Sequence, residues 1–180
     1  MVRKLKNIEL NRLDVDEFRK SKKFPICVLL DNIRSMHNVG SIFRTSDALN
    51  VEKLLLCGIT GTPPHREIHK TALGAEESMD WEYHKVAEEA LLDYKRQGYC
   101  VLALEQTETS QDIMQFIPPE QPLLLVLGNE VEGVNDDLLQ HCDEVLEIPQ
   151  FGTKHSFNVS VTGAIALWEL LRKKTLNSQE

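Results

Sequence analysis

Ser156, Asn158 and Ser160 stand at alternate positions in SFNVSVTGAIALWEL, residues 156 to 170, where a polar loop passes without a break into an apolar helix. Asn and Ser are good N-cap residues, because their side-chain oxygens accept from the free N–H groups of a first helical turn. One cap serves one helix, so three polar side chains at this point ask for a second purpose, the presentation of hydroxyl and amide groups to a ligand. Two other stretches have the same character: DNIRSMHNVGSIFR (31–44) and GNEVEG (128–133) place Asn, Ser and Gly directly after apolar runs.

Several chemistries are excluded by spacing. A dinucleotide-binding GxGxxG after a strand does not occur. GNEVEGVN has the first two glycines of a GxxxxGK[ST] phosphate loop, but Val134 and Asn135 replace the residues that touch phosphate and Mg²⁺, which argues against nucleotide-triphosphate chemistry. His65 and His69 have i, i+4 spacing within HREIH, which is not the HExxH of zinc proteases, and a structural or surface role is expected for them. Cys27, Cys57, Cys100 and Cys142 are widely spaced, with no CxxC for zinc or thiol redox work, so no metal is expected.

The elements that must position these loops are legible as apolar runs. ICVLL (26–30), KLLLCG (53–58), CVLALE (100–105), LLLVLG (123–128) and EVLEIP (144–149) read as strands buried on both faces. Helical patterns lie between and after them, near 39–49, 85–98, 135–141 and 158–173. The expected fold is therefore α/β, a mostly parallel sheet with helices on both faces. Ligands of such sheets bind at the carboxyl ends of the strands, where the three polar loops begin; they should converge on one site.

At 180 residues the chain suits one well-packed domain. It has no run long enough to span a membrane and no signal-peptide core, and a cytoplasmic location is expected. The formal charge is −8, yet residues 1–23 hold eight Lys/Arg against four Asp/Glu. Residues 1–24 are thus set apart as a basic N-terminal segment from a domain spanning 25–180. That segment, and the LRKK near the C-terminus, could track phosphates or be solvated basic tails.

NIRSMHNVGSIFRTSDAL, LVLGNEVEGV and EIPQFGTKHSFNVSVTGAIAL resemble, in order, the three motifs of the SpoU (TrmH-type) branch of the SPOUT RNA methyltransferases. The resemblance spans roughly residues 25 to 173. It implies methyl transfer from S-adenosylmethionine to a ribose 2′-hydroxyl of tRNA or rRNA, an α/β fold with a C-terminal trefoil knot, and a homodimer. Position by position it points to Asn38 and Arg44, Glu130, and Ser156 and Asn158 as catalytic. It points to Leu104, Gly128, Ile148 and Phe157 as the residues whose backbone holds the adenosine; Phe157 departs from the more usual Leu. An RNA-binding module that keeps the fold without catalysis is the alternative, and the intact motif residues speak against it.

For Arg44 the resemblance implies a place beside the hydroxyl. An arginine has a pKa above about 12 and is a reluctant base, whereas a guanidinium fork suits a clamp on the adjacent phosphate; both roles stand at this point. Asn38 reads as a possible N-cap of the helix carrying Arg44, and Glu130 as an orienting group for Arg44 or Asn38, or a cap for the turn after it. The apolar positions Val159, Val161, Ile165, Leu167, Trp168, Leu170 and Leu171 run around more of the last helix than one buried face requires. Part of that surface is expected to meet a second copy.

Overall fold

A computed structural model describes residues 2–177; the last three residues of the expected domain, and Met1, lie outside them. Seven strands form one sheet: β1 (Phe24–Asp31), β2 (Val51–Cys57), β3 (Trp81–His84), β4 (Cys100–Leu104), β5 (Gln111–Asp112), β6 (Leu123–Leu127) and β7 (Glu144–Glu147). Their order is β3-β2-β1-β6-β4-β7-β5 and every pairing is parallel.

The apolar runs become central strands because both faces of the sheet are covered. Along β1, Ile26, Val28 and Leu30 enter one core while Cys27 and Leu29 enter the other, and β6 divides in the same way between Leu123, Leu125 and Leu127 and Leu124 and Val126. The first core is closed by α2 (Met36–Ala48), α3 (Arg66–Ala72), α4 (Ala75–Ser78) and α7 (Val159–Asn177), the second by α5 (Ala87–Arg96) and α6 (Asp136–Leu139). The edge strands β3 and β5 and the short helices α3 and α4 were not foreseen. WEYH is half-exposed and lacks an apolar run, and β5 is two residues long. Between α3 and α4 the chain turns through Leu73 and Gly74, both at positive φ, which breaks any helical period.

The two basic clusters are tied into the fold. Helix α1 (Val15–Lys20) carries a capping box, in which the Glu17 amide donates to Asp14 at 2.8 Å and the Asp14 amide to Glu17 at 3.1 Å. Arg19 donates to the Glu77 carbonyl at the end of α4, and Lys23 sits 3.0 Å above the Phe18 ring while donating to the Phe18 carbonyl and Asn50. In LRKK, the Lys173 ammonium donates to the carbonyls of Ile113, Met114 and Phe116, and Lys174 to those of Pro119, Glu120 and Gln121. These two lysines therefore clamp the loop before β6, a role that their charge alone did not reveal.

Helices α2 and α3 pack through Gly40. A Cβ there would fall inside the contact distance of the Ile68 carbonyl oxygen and the Thr71 hydroxyl. Since backbone must move to admit it, Gly40→Ala is expected to lower the unfolding free energy by roughly 1–3 kcal/mol in urea denaturation. An unchanged midpoint would show that the helices can separate freely.

Candidate active site

Strands β1 and β6 are neighbours, so the loops leaving their carboxyl ends meet. Asn129 donates to the Asn32 carbonyl at 2.7 Å. Beside it, the Glu130 carboxylate accepts from the amides of Arg34 (2.9 Å) and Ser35 (3.0 Å) and from the Asn38 side chain (2.9 Å). Asn38 in turn accepts from the Asn158 side-chain amide at 3.0 Å. The first, second and third loops are thus joined by one run of hydrogen bonds, Glu130–Asn38–Asn158.

Local structure explains each member. Ser35, not Asn38, caps α2, its hydroxyl accepting from the Asn38 amide at 3.3 Å; Asn38 lies in the first turn, and its side chain is released to reach across to the other loops. Asn158 does both jobs expected of the polar cluster. Its side-chain oxygen accepts from the Ser160 amide (3.0 Å) and hydroxyl (2.6 Å), capping α7, while its NH₂ faces Asn38.

Burial opposes ionisation of Glu130, but the Arg34 amide, the Asn38 side chain and the Ser35 amide outweigh it and hold the carboxyl below its ordinary value. It is therefore a fixed anion at neutral pH that orients donors, and it is poorly suited to moving protons. Thiol chemistry is equally disfavoured: burial first of all pushes Cys27, Cys57 and Cys142 up to about 12.

A cleft of about 510 Å³ opens beside this linkage, between the ends of β4, β6 and β7. Leu104, Gly128, Ile148 and Phe157 all line it, as do Glu130, Ser156 and Asn158. Its apolar wall is completed by Leu127, Leu146 and Val159. The N–H groups of Gly128, Ile148 and Phe157 have no protein acceptor among the described residues, which leaves them for a ligand in the cleft. An adenosine held by backbone groups against apolar walls fits this donor set and this size.

Asn38 reaches the cleft only through its partners, and Arg44 does not line it. Arg44 lies about 9 Å further along the α2 axis than Asn38, exposed, and its guanidinium makes no hydrogen bond or ion pair among the described residues. Glu130 makes no bond to it. Glu105 was overlooked in the sequence: its carboxylate accepts from the Val134 (2.9 Å) and Gln106 (2.8 Å) amides. Gly133, at φ +73°, packs so closely on that carboxylate that a side chain would displace it. The position just past a buried strand was the only signal available for Glu105.

The family model for the SpoU rRNA Methylase family matches residues 25–168, and the chain belongs to that family. It is 35% identical over 147 residues to the mouse tRNA (guanosine(18)-2'-O)-methyltransferase TARBP1, covering 79% of this chain but 9% of that protein. It is 29% identical to the Thermus thermophilus tRNA (guanosine(18)-2'-O)-methyltransferase over 92% of this chain and 84% of the relative. Among solved structures, the A. aeolicus TrmH/SpoU tRNA modifying enzyme superposes with a TM-score of 0.81 at 26% identity, covering 91% of this chain and 82% of that one. An AdoMet-bound rRNA methyltransferase from Sinorhizobium meliloti gives 0.77 at 26% identity, over 86% of this chain and 59% of that one.

Glu130→Gln replaces one acceptor oxygen by an NH₂ that faces donors. Because the native carboxyl is held below its unfolded value, the stability it contributes is present above the ordinary carboxylate range, about pH 4.3, and is lost as pH falls through the lowered native value. The expected outcome is a variant less stable than wild type at pH 7 whose deficit shrinks in acid. A deficit equal at pH 7 and pH 3 in thermal melts would show that the charge plays no part.

Proposed function

We propose that this protein is an RNA methyltransferase that transfers the methyl group of S-adenosylmethionine to a ribose 2′-hydroxyl of tRNA or rRNA. The observation that carries the reading is the Glu130–Asn38–Asn158 linkage at the rim of a cleft with free backbone donors. Both the Thermus relative, named for a tRNA guanosine, and a Haemophilus influenzae relative named for a 23S rRNA guanosine, at 30% identity over 92% of this chain and 67% of its own length, support the substrate class.

When bound, S-adenosylmethionine supplies an electrophilic methyl on a sulfonium. Gly128, Ile148 and Phe157 would hold the adenosine by their N–H groups and Leu104 by its backbone. Asn38 and Asn158 fix the cleft's rim, and Ser156 presents a hydroxyl there. The ribose hydroxyl is a weak acid, so catalysis rests on placing its oxygen in line with the S–CH₃ bond, which is worth ~7 kcal/mol at the favourable end. Arg44 serves as the phosphate clamp: its guanidinium donors have no partner among the described residues and are left for a bidentate contact that also favours loss of the hydroxyl proton to solvent.

The same reading includes a homodimer in the cytoplasm. Val161, Ile165 and Trp168 form a stripe on α7 at i, i+4 and i+7, exposed by 46%, 37% and 63%, while Ala166, Leu167, Leu170 and Leu171 pack inward. A second copy laid on the stripe would cover it. The reading also includes a trefoil knot in the C-terminal part of the domain, supported by the family's resemblance, and a basic segment before β1 that contacts RNA through the exposed Arg12, Lys20 and Lys22.

Incubation with labelled S-adenosylmethionine and total RNA should place label in nuclease-resistant, ribose-methylated dinucleotides; no label in RNA would overturn the proposal. Arg44→Ala should abolish transfer while leaving calorimetric affinity for S-adenosylhomocysteine nearly unchanged. Arg44→Lys keeps charge without the planar fork and should stay severely impaired; near-normal turnover of the lysine variant would contradict the clamp.

A further inference from the structure

Between Ile148 and Trp168 the chain carries no Asp or Glu, although its formal charge is −8. Within this acid-free stretch the loop Gln150–Phe157 forms one side of the cleft: Gln150, His155, Ser156 and Phe157 line it. The loop is folded on itself, with the Gln150 and Gln106 side-chain amides both donating to the His155 carbonyl, at 3.5 and 3.3 Å. Between these anchors Phe151 is exposed over 94% of its surface, and Lys154, three residues on in the same loop, is exposed too.

An aromatic ring costs free energy when left in water, and neither the fold nor the cleft uses this one. Phe151 is not among the residues lining the cleft, and it packs in neither core. A solvent-exposed aromatic and an exposed lysine in one short loop, in a segment without acidic residues, supply the two elements that bind single-stranded nucleic acid: a π-face for a base and a cation for the backbone.

We propose that Phe151 is a stacking platform for an unpaired base of the RNA, with Lys154 on a neighbouring phosphate, so that the loop bounding the cleft also positions the substrate strand at its mouth. This rests on the RNA reading given above and adds a positioning residue to it. Stacking makes little distinction among bases, since each has a π-face. The platform therefore sets where the strand lies and leaves base identity to other contacts.

The test uses the full chain and a fluorescein-labelled, mixed-sequence 20-nucleotide single-stranded RNA, read by anisotropy between 50 and 200 mM salt. Phe151→Ala should weaken binding about tenfold at every salt concentration, Phe151→Tyr should restore it, and Lys154→Gln should flatten the log–log salt slope by about 0.7. Calorimetric affinity for S-adenosylhomocysteine should be unchanged in all three. In methyl transfer to total RNA, Phe151→Ala should raise KM for RNA more than it lowers kcat. RNA affinity unaltered by Phe151→Ala would overturn the proposal, and a concurrent shift in sedimentation would assign the ring to a contact between copies. If wild type binds the oligonucleotide through Phe151 yet transfers no methyl group, the stacking inference stands and the methyltransferase reading fails.

Discussion

The hydrogen bonds converging on the Glu130 carboxylate decide how the rest of the site is built. A carboxylate is an acceptor only, with room for several donors. Here it takes the Arg34 and Ser35 amides, which immediately precede α2, together with the Asn38 side chain. Two of those donors are backbone N–H groups just before α2, on its N-cap Ser35 and on Arg34 preceding it, which would otherwise need water. Anchoring the loop after β6 to the beginning of α2 therefore satisfies the helix and orients Asn38 in the same act.

Other features follow from that anchor. Once Asn38 is held, its oxygen is aimed at Asn158, and Asn158 starts α7. Helix α7 packs against both α2 and the end of β6, where Gly163 leaves room for Leu127. The segment from Ile148 to Phe157 is consequently held between β7 and a fixed helix start, and the N–H groups of Ile148 and Phe157, which line the cleft at its two ends, have no protein acceptor among the described residues. Glu105 performs the matching task on the far side of the 128–133 loop, taking the Val134 amide where Gly133 lets the backbone come close. Of the four glutamates that line the cleft, Glu105 and Glu130 thus serve to hold its loops.

Much of this was legible beforehand, for identifiable reasons. Four of the five inner strands announce themselves because burial on both faces demands apolar runs such as ICVLL and LLLVL, whereas β7 was read as more buried than it is: of EVLE only Leu146 is buried and Glu144 is exposed. The polar loops after β1, β6 and β7 were recognisable from Asn, Ser and Gly at strand ends. Their joint geometry was not, because Glu130 and Asn38 are 92 residues apart and Asn38 and Asn158 are 120 apart. Ser35 as the α2 cap was missed because Asn38, three residues on, has equally good capping chemistry. Lys173 and Lys174 looked like a basic patch because sequence records charge without recording which carbonyls lie within reach. The roles of Arg44, Leu104 and Phe157 rested on family resemblance, and no spacing rule supplies them.

Whether Glu130 acts on Asn158 through Asn38, and thereby shapes the cleft, can be read from a double-mutant cycle. Affinity for S-adenosylhomocysteine would be measured calorimetrically for wild type, Glu130→Gln, Asn158→Ala and the double variant. If the three residues work as one linkage, the double variant loses less than the sum of the single losses, with a coupling of about 0.5–3 kcal/mol. Strict additivity of the two single losses would contradict the linkage and leave Glu130 and Asn158 as independent supports of separate loops.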